Sequence, residues 1–280
     1  MDKEFLYDML RTPSVSGHEI ALQKKVIQHM EPVADEILTD ATGDVISILN
    51  PHAEAKVLLC GHIDEIGFLV TRICEDGMLK VTKAGGIHPV LYLGTHVQVV
   101  CASQILPGVV VTNRTLESKE QVQVEDLFID LGFDSKAECE RYVSIGDPVC
   151  AASEFTELAQ GKLAGRALDD RIGAFIILEA LKKAKQKQAA CGIYAATTCG
   201  EETTMRGAYH VATRVQPSCA LIVDVTFASD YPGVSGDASG TVKLGGGAVL
   251  CSNSMINKPL NAALAAIAEE HQLDVQWEVF

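Results

Sequence analysis

The sequence predicts an α/β fold in which a β-rich segment interrupts one α/β domain. Helical and strand-like patterns alternate near both ends of the chain, whereas the middle consists of short β-like stretches separated by Gly, Pro and Asp. With 280 residues, of which 48% are hydrophobic, the chain can bury a substantial core. We therefore predict an α/β domain over residues 1–70 and 164–280 and an inserted β-rich domain over residues 71–163.

The amino-terminal part begins with two predicted helices and continues as strands. Apolar residues recur at helical spacing over residues 2–11, which predicts the first helix. Ser16 followed by Glu19 is a capping-box signature and predicts a second helix that runs towards Met30. Apolar or alternating runs bounded by turn residues then predict strands over 35–39, 44–49, 56–60 and 66–73.

The middle and carboxyl-terminal parts differ in their pattern. In the middle, the spacing predicts strands over 78–82, 96–101, 108–112 and 147–150 and a helix over 135–143. Further on, the pattern predicts helices over 169–185, 204–213 and 259–271 and strands over 192–198, 219–225 and from Leu273. A glycine-rich segment lies over 233–247.

Composition excludes several classes of partner. The 23 Lys and Arg residues stand against 37 Asp and Glu residues, and the resulting formal charge of −14 repels phosphate backbones and anionic lipids. No apolar run approaches the length of a membrane span. The nine cysteines are odd in number and form no C-x-x-C, which favours a reducing compartment. We expect a cytoplasmic protein with no nucleic-acid and no membrane partner.

Residues able to bind metal follow two predicted buried strands. His62 and Asp64 come directly after the third predicted strand, where an imidazole ligates a metal ion and a neighbouring carboxylate orients it. Glu201 and Glu202 come just after the strand over 192–198, where one glutamate ligates metal while the other acts as a general base. A loop histidine and a solvated acidic face are the structural alternatives.

Three aspartates extend this candidate site. Asp169 and Asp170 start a predicted helix, so in the simplest interpretation either one is a helix cap. Adjacent carboxylates repel each other, however, and a bound cation would relieve that repulsion. Asp224 ends an apolar strand and needs a partner when buried. If these strand ends converge at one edge of the sheet, the cluster suits a divalent ion such as Zn, Mn or Co.

The order of these motifs resembles the glutamyl/tetrahedral aminopeptidase family of co-catalytic metallopeptidases. The resemblance is carried by Gly61-His62-Ile63-Asp64-Glu65-Ile66-Gly67, Asp169-Asp170-Arg171, Glu201-Glu202 with Arg206-Gly207-Ala208, and Asp224-Val225-Thr226. It covers essentially the whole chain. It implies a phosphorylase/hydrolase-like three-layer catalytic domain with a mixed sheet, interrupted by a small β-barrel-like domain used in dimerisation.

The resemblance also implies an activity and a role for each site residue. The implied activity is the release of N-terminal residues from oligopeptides. The implied cofactors are two divalent ions per subunit, Zn or Co first and Mn as an alternative, and the implied assembly is a homo-oligomer between a dimer and a dodecamer. The implied roles are His62 and Asp224 on one metal ion, Asp169 bridging both ions, Glu202 on the other ion, Glu201 as general base and Asp64 orienting His62. Glu201 would deprotonate a water between the metals and return the proton to the leaving amine.

The sequence departs from the family pattern in two respects. It lacks the final histidine ligand in an Arg-Tyr-x-His-Ser context, so we expect the last part of the fold and one ligand of the second metal to be missing. Thr203-Thr204-Met205 replaces the more frequent Val-Gly-Leu after the glutamates. Two other functions therefore stay open: an inactive paralogue or oligomeric scaffold, and an endoglucanase-type glycoside hydrolase that uses two carboxylates without metal.

Overall fold

A mixed β-sheet, a closed β-barrel and the helices around them form the first of two units in the chain. The computed structural model describes residues 2–112, 122–152, 155–236 and 239–279. Contacts within the chain divide it into the units Met1–Asp224 and Val225–Phe280. Parts of the predicted inserted domain (113–121 and 153–154) and of the glycine-rich segment (237–238) lie outside the described residues.

The helices and strands follow the predicted order closely. The helices are α1 Lys3–Arg11, α2 Ile20–Met30, α3 Lys136–Cys139, α4 Leu168–Gln186, α5 Glu201–Thr204, α6 Arg206–Val215 and α7 Lys258–Glu270. The strands are β1 Glu36–Thr39, β2 Val45–Leu49, β3 Lys56–His62, β4 Gly67–Ile73, β5 Leu79–Ala84, β6 His96–Val100, β7 Ile105–Thr112, β8 Leu127–Asp130, β9 Pro148–Ala151, β10 Phe155–Glu157, β11 Leu163–Gly165, β12 Gly192–Thr198, β13 Cys219–Ile222, β14 Ala248–Ser252 and β15 Val275–Val279.

The main sheet has five strands in the order β1-β2-β12-β3-β13. Strands β3, β12 and β13 run parallel, with Thr198 opposite His62 and Ile222 opposite Cys60. Strands β1 and β2 add an antiparallel edge. Because the three parallel strands end at the same edge, the residues that follow them are brought together there.

Helices cover both faces of this sheet. On β12, the side chains of Ile193 and Ala195 join the core beneath α1, α2 and α4, while Tyr194 and Ala196 join the core beneath α6. This alternation is the period of two expected of a strand buried on both faces. The predicted three-layer α/β fold with a mixed sheet is confirmed.

The segment that interrupts this domain folds as a barrel. Strands β4 to β9 close in the order β4-β5-β8-β7-β6-β9, with β9 pairing back onto β4 through Phe68 and Val149. Their inward side chains form a core of their own, which includes Leu79, Val97 and Ile129. The barrel-like insertion is therefore confirmed as part of the fold class, and the domain boundaries at residues 70 and 163 stay predictions.

The second unit, described by itself, contains α7 and a two-stranded sheet. Strands β14 and β15 pair in parallel, and Thr226 Oγ1 donates to Glu278 Oε2 over 2.6 Å. None of the described helices combines the length and the apolar character needed to cross a membrane.

Some predicted elements were wrong or missed. The helix expected over 135–143 is a single turn, Lys136–Cys139, and the strand expected over 219–225 ends at Ile222. Strands β8, β10, β11 and β14 were not predicted. They are three to five residues long, too short for the alternation of side chains to give a clear signal before their pairing partners are known.

Candidate metal centre

His62 is the last residue of β3 and lies against the start of α4. Its side chain is buried, and its Nε2 lies 2.9 Å from Asp169 Oδ1. The preceding residue, Gly61, permits this approach, because a Cβ there would lie 2.9 Å from the Ala174 backbone nitrogen and 3.0 Å from the Gly173 carbonyl carbon. Gly61 thus allows the strand and helix backbones to pack closely beside the histidine.

The two adjacent aspartates at the start of α4 have different surroundings. The Asp169 side chain is largely exposed and faces His62. Asp170 is fully buried, and its Oδ1 accepts a hydrogen bond from the Gly173 N–H over 3.0 Å, as a helix cap does. Its Oδ2 is buried without a hydrogen-bond partner in the described part of the chain. The cap interpretation therefore holds for Asp170, and the peptide bond between the two residues is cis.

Asp64 connects the histidine to the pair of glutamates. Its carboxylate is fully buried and accepts the Glu201 N–H at Oδ1 over 3.1 Å and the Glu202 N–H at Oδ2 over 3.2 Å. The same Oδ1 lies 3.5 Å from His62 Nδ1. Asp64 thus contacts both a candidate ligand and the helix turn that carries the candidate general base.

Two overlapping sets of oxygen and nitrogen atoms result. One ligand atom each from His62, Asp169 and Glu202 lie within 4.8 Å of one another, and the same holds for His62, Asp170 and Asp224. Asp224 stands two residues beyond β13. Glu201 Oε2 lies 3.9 Å from His62 Nε2.

The structure therefore places all the sequence-predicted site residues at one edge of the sheet. Asp170, whose repulsion with Asp169 is evident from the sequence but which is not among the predicted ligands, lies among them. The neighbouring pair of acids was the signal that could have included it.

The acidic groups of the cluster raise one another's affinity for protons. Burial and the charge of Asp169 raise the pKa of Glu202 to about 7. Burial and the charge of Asp224 raise the pKa of Asp170 to about 8. Burial alone would lower the pKa of His62, yet its hydrogen bonds to Asp169 and Asp64 raise it to about 11. Carboxylates crowded in this way, beside an imidazole that ligates once it has lost its proton, fit a divalent cation.

The start of α4 is anchored by a buried ion pair. Arg171 is fully buried and donates to the Met9 carbonyl over 2.8 Å and to Glu65 Oε1 over 2.7 Å. Glu65 also accepts from Arg166 over 2.7 Å and from the Ser14 N–H over 2.9 Å. These bonds join α1, the turn after β3 and α4 immediately behind the candidate metal ligands.

The predicted capping box at the start of α2 is wrong. Ser16 Oγ lies 3.0 Å from Thr203 Oγ1, beyond the glutamate pair, and gives no cap to α2. Glu19 Oε1 accepts instead from the N–H groups of Gly17 and Gly200, over 2.8 and 3.1 Å. Contacts with a distant turn have replaced the local hydrogen bonds that the sequence pattern predicts.

Comparison with known proteins shows similarity to aminopeptidases. A lysyl aminopeptidase from Pyrococcus furiosus is 29% identical, over 99% of this chain and 81% of the relative. A solved structure of the Pyrococcus horikoshii TET1 peptidase, which can assemble into a tetrahedron or a large octahedral shell, is 31% identical with a TM-score of 0.88, over 99% of this chain and 84% of that chain. A solved Thermotoga maritima structure named an endoglucanase is 27% identical with a TM-score of 0.81, over 98% and 86%.

The family itself is identified by a profile. The profile described as M42 glutamyl aminopeptidase matches residues 43–280, which include every candidate site residue. The resemblance inferred from the ordered motifs is confirmed, and so is the expectation of an enzyme of the peptidase class. The chain belongs to the M42 glutamyl aminopeptidase family.

Proposed function

We propose that this protein is a metal-dependent aminopeptidase that releases N-terminal residues from oligopeptides. The observation that carries the proposal is the convergence of His62 with five carboxylate groups at one edge of the sheet, within a chain of the M42 family. Neither feature alone would be enough, because acidic clusters also occur without function and folds host many activities.

The two overlapping sets of donor atoms support a site for two divalent ions. We propose His62 and Asp224 for one ion, Glu202 for the other and Asp169 as the bridge between them. Imidazole and carboxylate ligands suit Zn or Co, with Mn as an alternative. Such ions, when bound, polarise the scissile carbonyl and make a water molecule more acidic.

The protein's own groups would handle the proton. Burial raises the pKa of Glu201 above its ordinary value, which suits a carboxylate that takes a proton from the attacking water and gives it to the leaving amine. The Glu201 N–H donates to Asp64 Oδ1, which fixes the backbone from which the side chain of the general base extends. Asp64 also lies beside His62 Nδ1, which leaves Nε2 directed towards Asp169.

We further propose a homo-oligomer in a reducing, cytoplasmic environment. The assemblies of the TET1 relative support association between copies of this chain, with the barrel as the proposed dimerisation element. All nine cysteines are free thiols, which agrees with a reducing compartment.

The test is the release of N-terminal residues from a panel of aminoacyl-anilides and short peptides, with and without chelator and with added Zn, Co or Mn. We expect that chelator abolishes the release of N-terminal residues and that added metal restores it. The variant Glu201→Gln should bind metal but show no release. Metal-free, unreactive protein that still assembles would favour the scaffold. The second candidate function is a glycoside hydrolase, because one structural neighbour is named an endoglucanase. Cleavage of cello-oligosaccharides that is insensitive to chelator would favour it.

A further inference from the structure

The turn that carries Glu201 and Glu202 has an unusual set of backbone partners. Four consecutive N–H groups, those of residues 199 to 202, each donate to a buried carboxylate. The bonds are Cys199 N–H to Asp44 Oδ1 over 2.8 Å, Gly200 N–H to Glu19 Oε1 over 3.1 Å, Glu201 N–H to Asp64 Oδ1 over 3.1 Å and Glu202 N–H to Asp64 Oδ2 over 3.2 Å.

These three acids, which we name the carboxylate cradle (Glu19, Asp44 and Asp64), come from three separate parts of the fold. Glu19 precedes α2, Asp44 precedes β2 and Asp64 follows β3. Their exposed fractions are 3%, 1% and 0%. A carboxylate acceptor strengthens a hydrogen bond to an N–H group relative to a neutral carbonyl, so three separate segments of the chain hold this turn together.

The carbonyl groups of the same turn are also held. The Cys199 carbonyl accepts from the Gly207 N–H over 3.1 Å, and the Gly200 carbonyl accepts from the Thr204 N–H over 3.1 Å. Gly207 makes this contact possible, because a Cβ there would lie 2.7 Å from the Cys199 nitrogen. The start of α6 therefore packs directly on this backbone and on the Asp44 carboxylate, since the same Cβ would lie 2.5 Å from Asp44 Oδ1.

We propose that Glu19 and Asp44 are positioning residues for the reaction, which set the backbone from which Glu201 and Glu202 extend. This inference rests on the proposed function. Neither residue belongs to the two sets of candidate ligand atoms, and each acts through the backbone N–H of a residue that precedes the glutamates. Because both candidate roles, base and ligand, are carried by consecutive residues, a small displacement of this turn disturbs both together.

The experiment compares variants that remove the acceptor with variants that keep it. Glu19→Ala and Asp44→Ala remove the hydrogen-bond acceptor, whereas Glu19→Gln and Asp44→Asn keep one acceptor oxygen in nearly the same place. Asp130→Ala is the matched control, because Asp130 Oδ1 accepts the Gly132 N–H over 2.8 Å in the barrel. For each full-length protein, the affinity for Zn and Co, the exchange rates of the amides of residues 199–202, the thermal midpoint, kcat and KM are measured.

The positioning role predicts a specific pattern. The alanine variants should bind metal about 10- to 100-fold more weakly, and metal-saturated protein should show a similar loss of kcat with little change in KM, as for other residues that support metal ligands. Exchange at the amides of Cys199 and Gly200 should accelerate. Glu19→Gln and Asp44→Asn should restore most of both losses, and Asp130→Ala should show neither.

Other outcomes would overturn the proposal or the function separately. Alanine variants with a lower thermal midpoint but unchanged metal affinity and kcat would show that the cradle serves stability alone and overturn the proposal. Equal losses in the Ala and the Gln or Asn variants would also overturn it. If the unmodified protein binds metal but releases no N-terminal residues, the proposed function fails, and metal affinity and amide exchange still decide the positioning role.

Discussion

Substituting Gly61 by alanine tests whether the close packing of β3 on α4 sets the distance between the candidate metal ligands. The new Cβ would lie 2.9 Å from the Ala174 nitrogen and 3.0 Å from the Gly173 carbonyl carbon. Ordinary contacts between such atoms lie near 3.5 Å, so strand and helix must separate by about 0.5 Å. Overpacking of this kind costs about 1–3 kcal/mol of unfolding free energy. The same separation moves His62 away from Asp169, which lie 2.9 Å apart across this contact.

Two measurements follow from this geometry. Denaturant unfolding of the metal-free Gly61→Ala protein should show the loss of stability, and titration with Zn should show binding about 10- to 100-fold weaker than in the unmodified chain. Gly86→Ala is the matched control, because a Cβ there meets no atom within 4 Å. It should change stability by less than about 0.5 kcal/mol. A Gly61→Ala protein that is as stable and binds metal as tightly as the control would show that this packing does not set the distance between the ligands.

Three further predictions concern the ion pair behind the site and the metal itself. Arg171→Met should lower the free energy of unfolding by denaturant by about 3–5 kcal/mol, because it removes one of the cations paired with the buried Glu65. Lys25→Met, at an exposed ion pair, should lower it by at most about 1 kcal/mol, and equal effects would contradict this prediction. Adding Zn at about 100 times its Kd should stabilise the chelator-treated protein by about 2.7 kcal/mol in thermal unfolding, and His62→Ala should abolish the shift; a shift that persists would place the metal elsewhere. Metal affinity should fall as the pH is lowered from about 8 to 6, because burial raises the pKa of Glu202 to about 7 and the metal must then displace a proton. Calorimetric titrations that give the same affinity at both pH values would contradict this prediction.

The convergence of His62 with Glu201 and Glu202 was predictable because these residues stand beside strong local signals. His62 and the Glu201-Glu202 pair follow long apolar strands, and parallel strands that end together bring such residues to one edge. The barrel was predictable in kind for a similar reason, since its strands are short, regular and separated by turn residues.

The contacts that support the site were not predictable from local pattern. Glu19 lies 181 residues from Gly200 in the sequence, and its spacing from Ser16 imitates a capping box. Asp44 likewise reaches the Cys199 N–H across 155 residues. A local rule assigns such a side chain to its sequence neighbours alone, and Glu19 does bond to the nearby Gly17 N–H. The folded chain adds buried N–H groups from a distant turn, which local spacing cannot reveal.

The position of bound metal decides most directly whether the edge of the main sheet is a two-metal site. Crystals grown with Zn and measured on both sides of its absorption edge give the site from anomalous scattering alone. We expect two peaks at the carboxyl edge of the main sheet, with ligand atoms of His62, Asp169, Glu202 and Asp224 about 2.0–2.2 Å away. Zinc bound only elsewhere would contradict a two-metal site here. So would zinc-saturated crystals with no anomalous peak beside these four side chains.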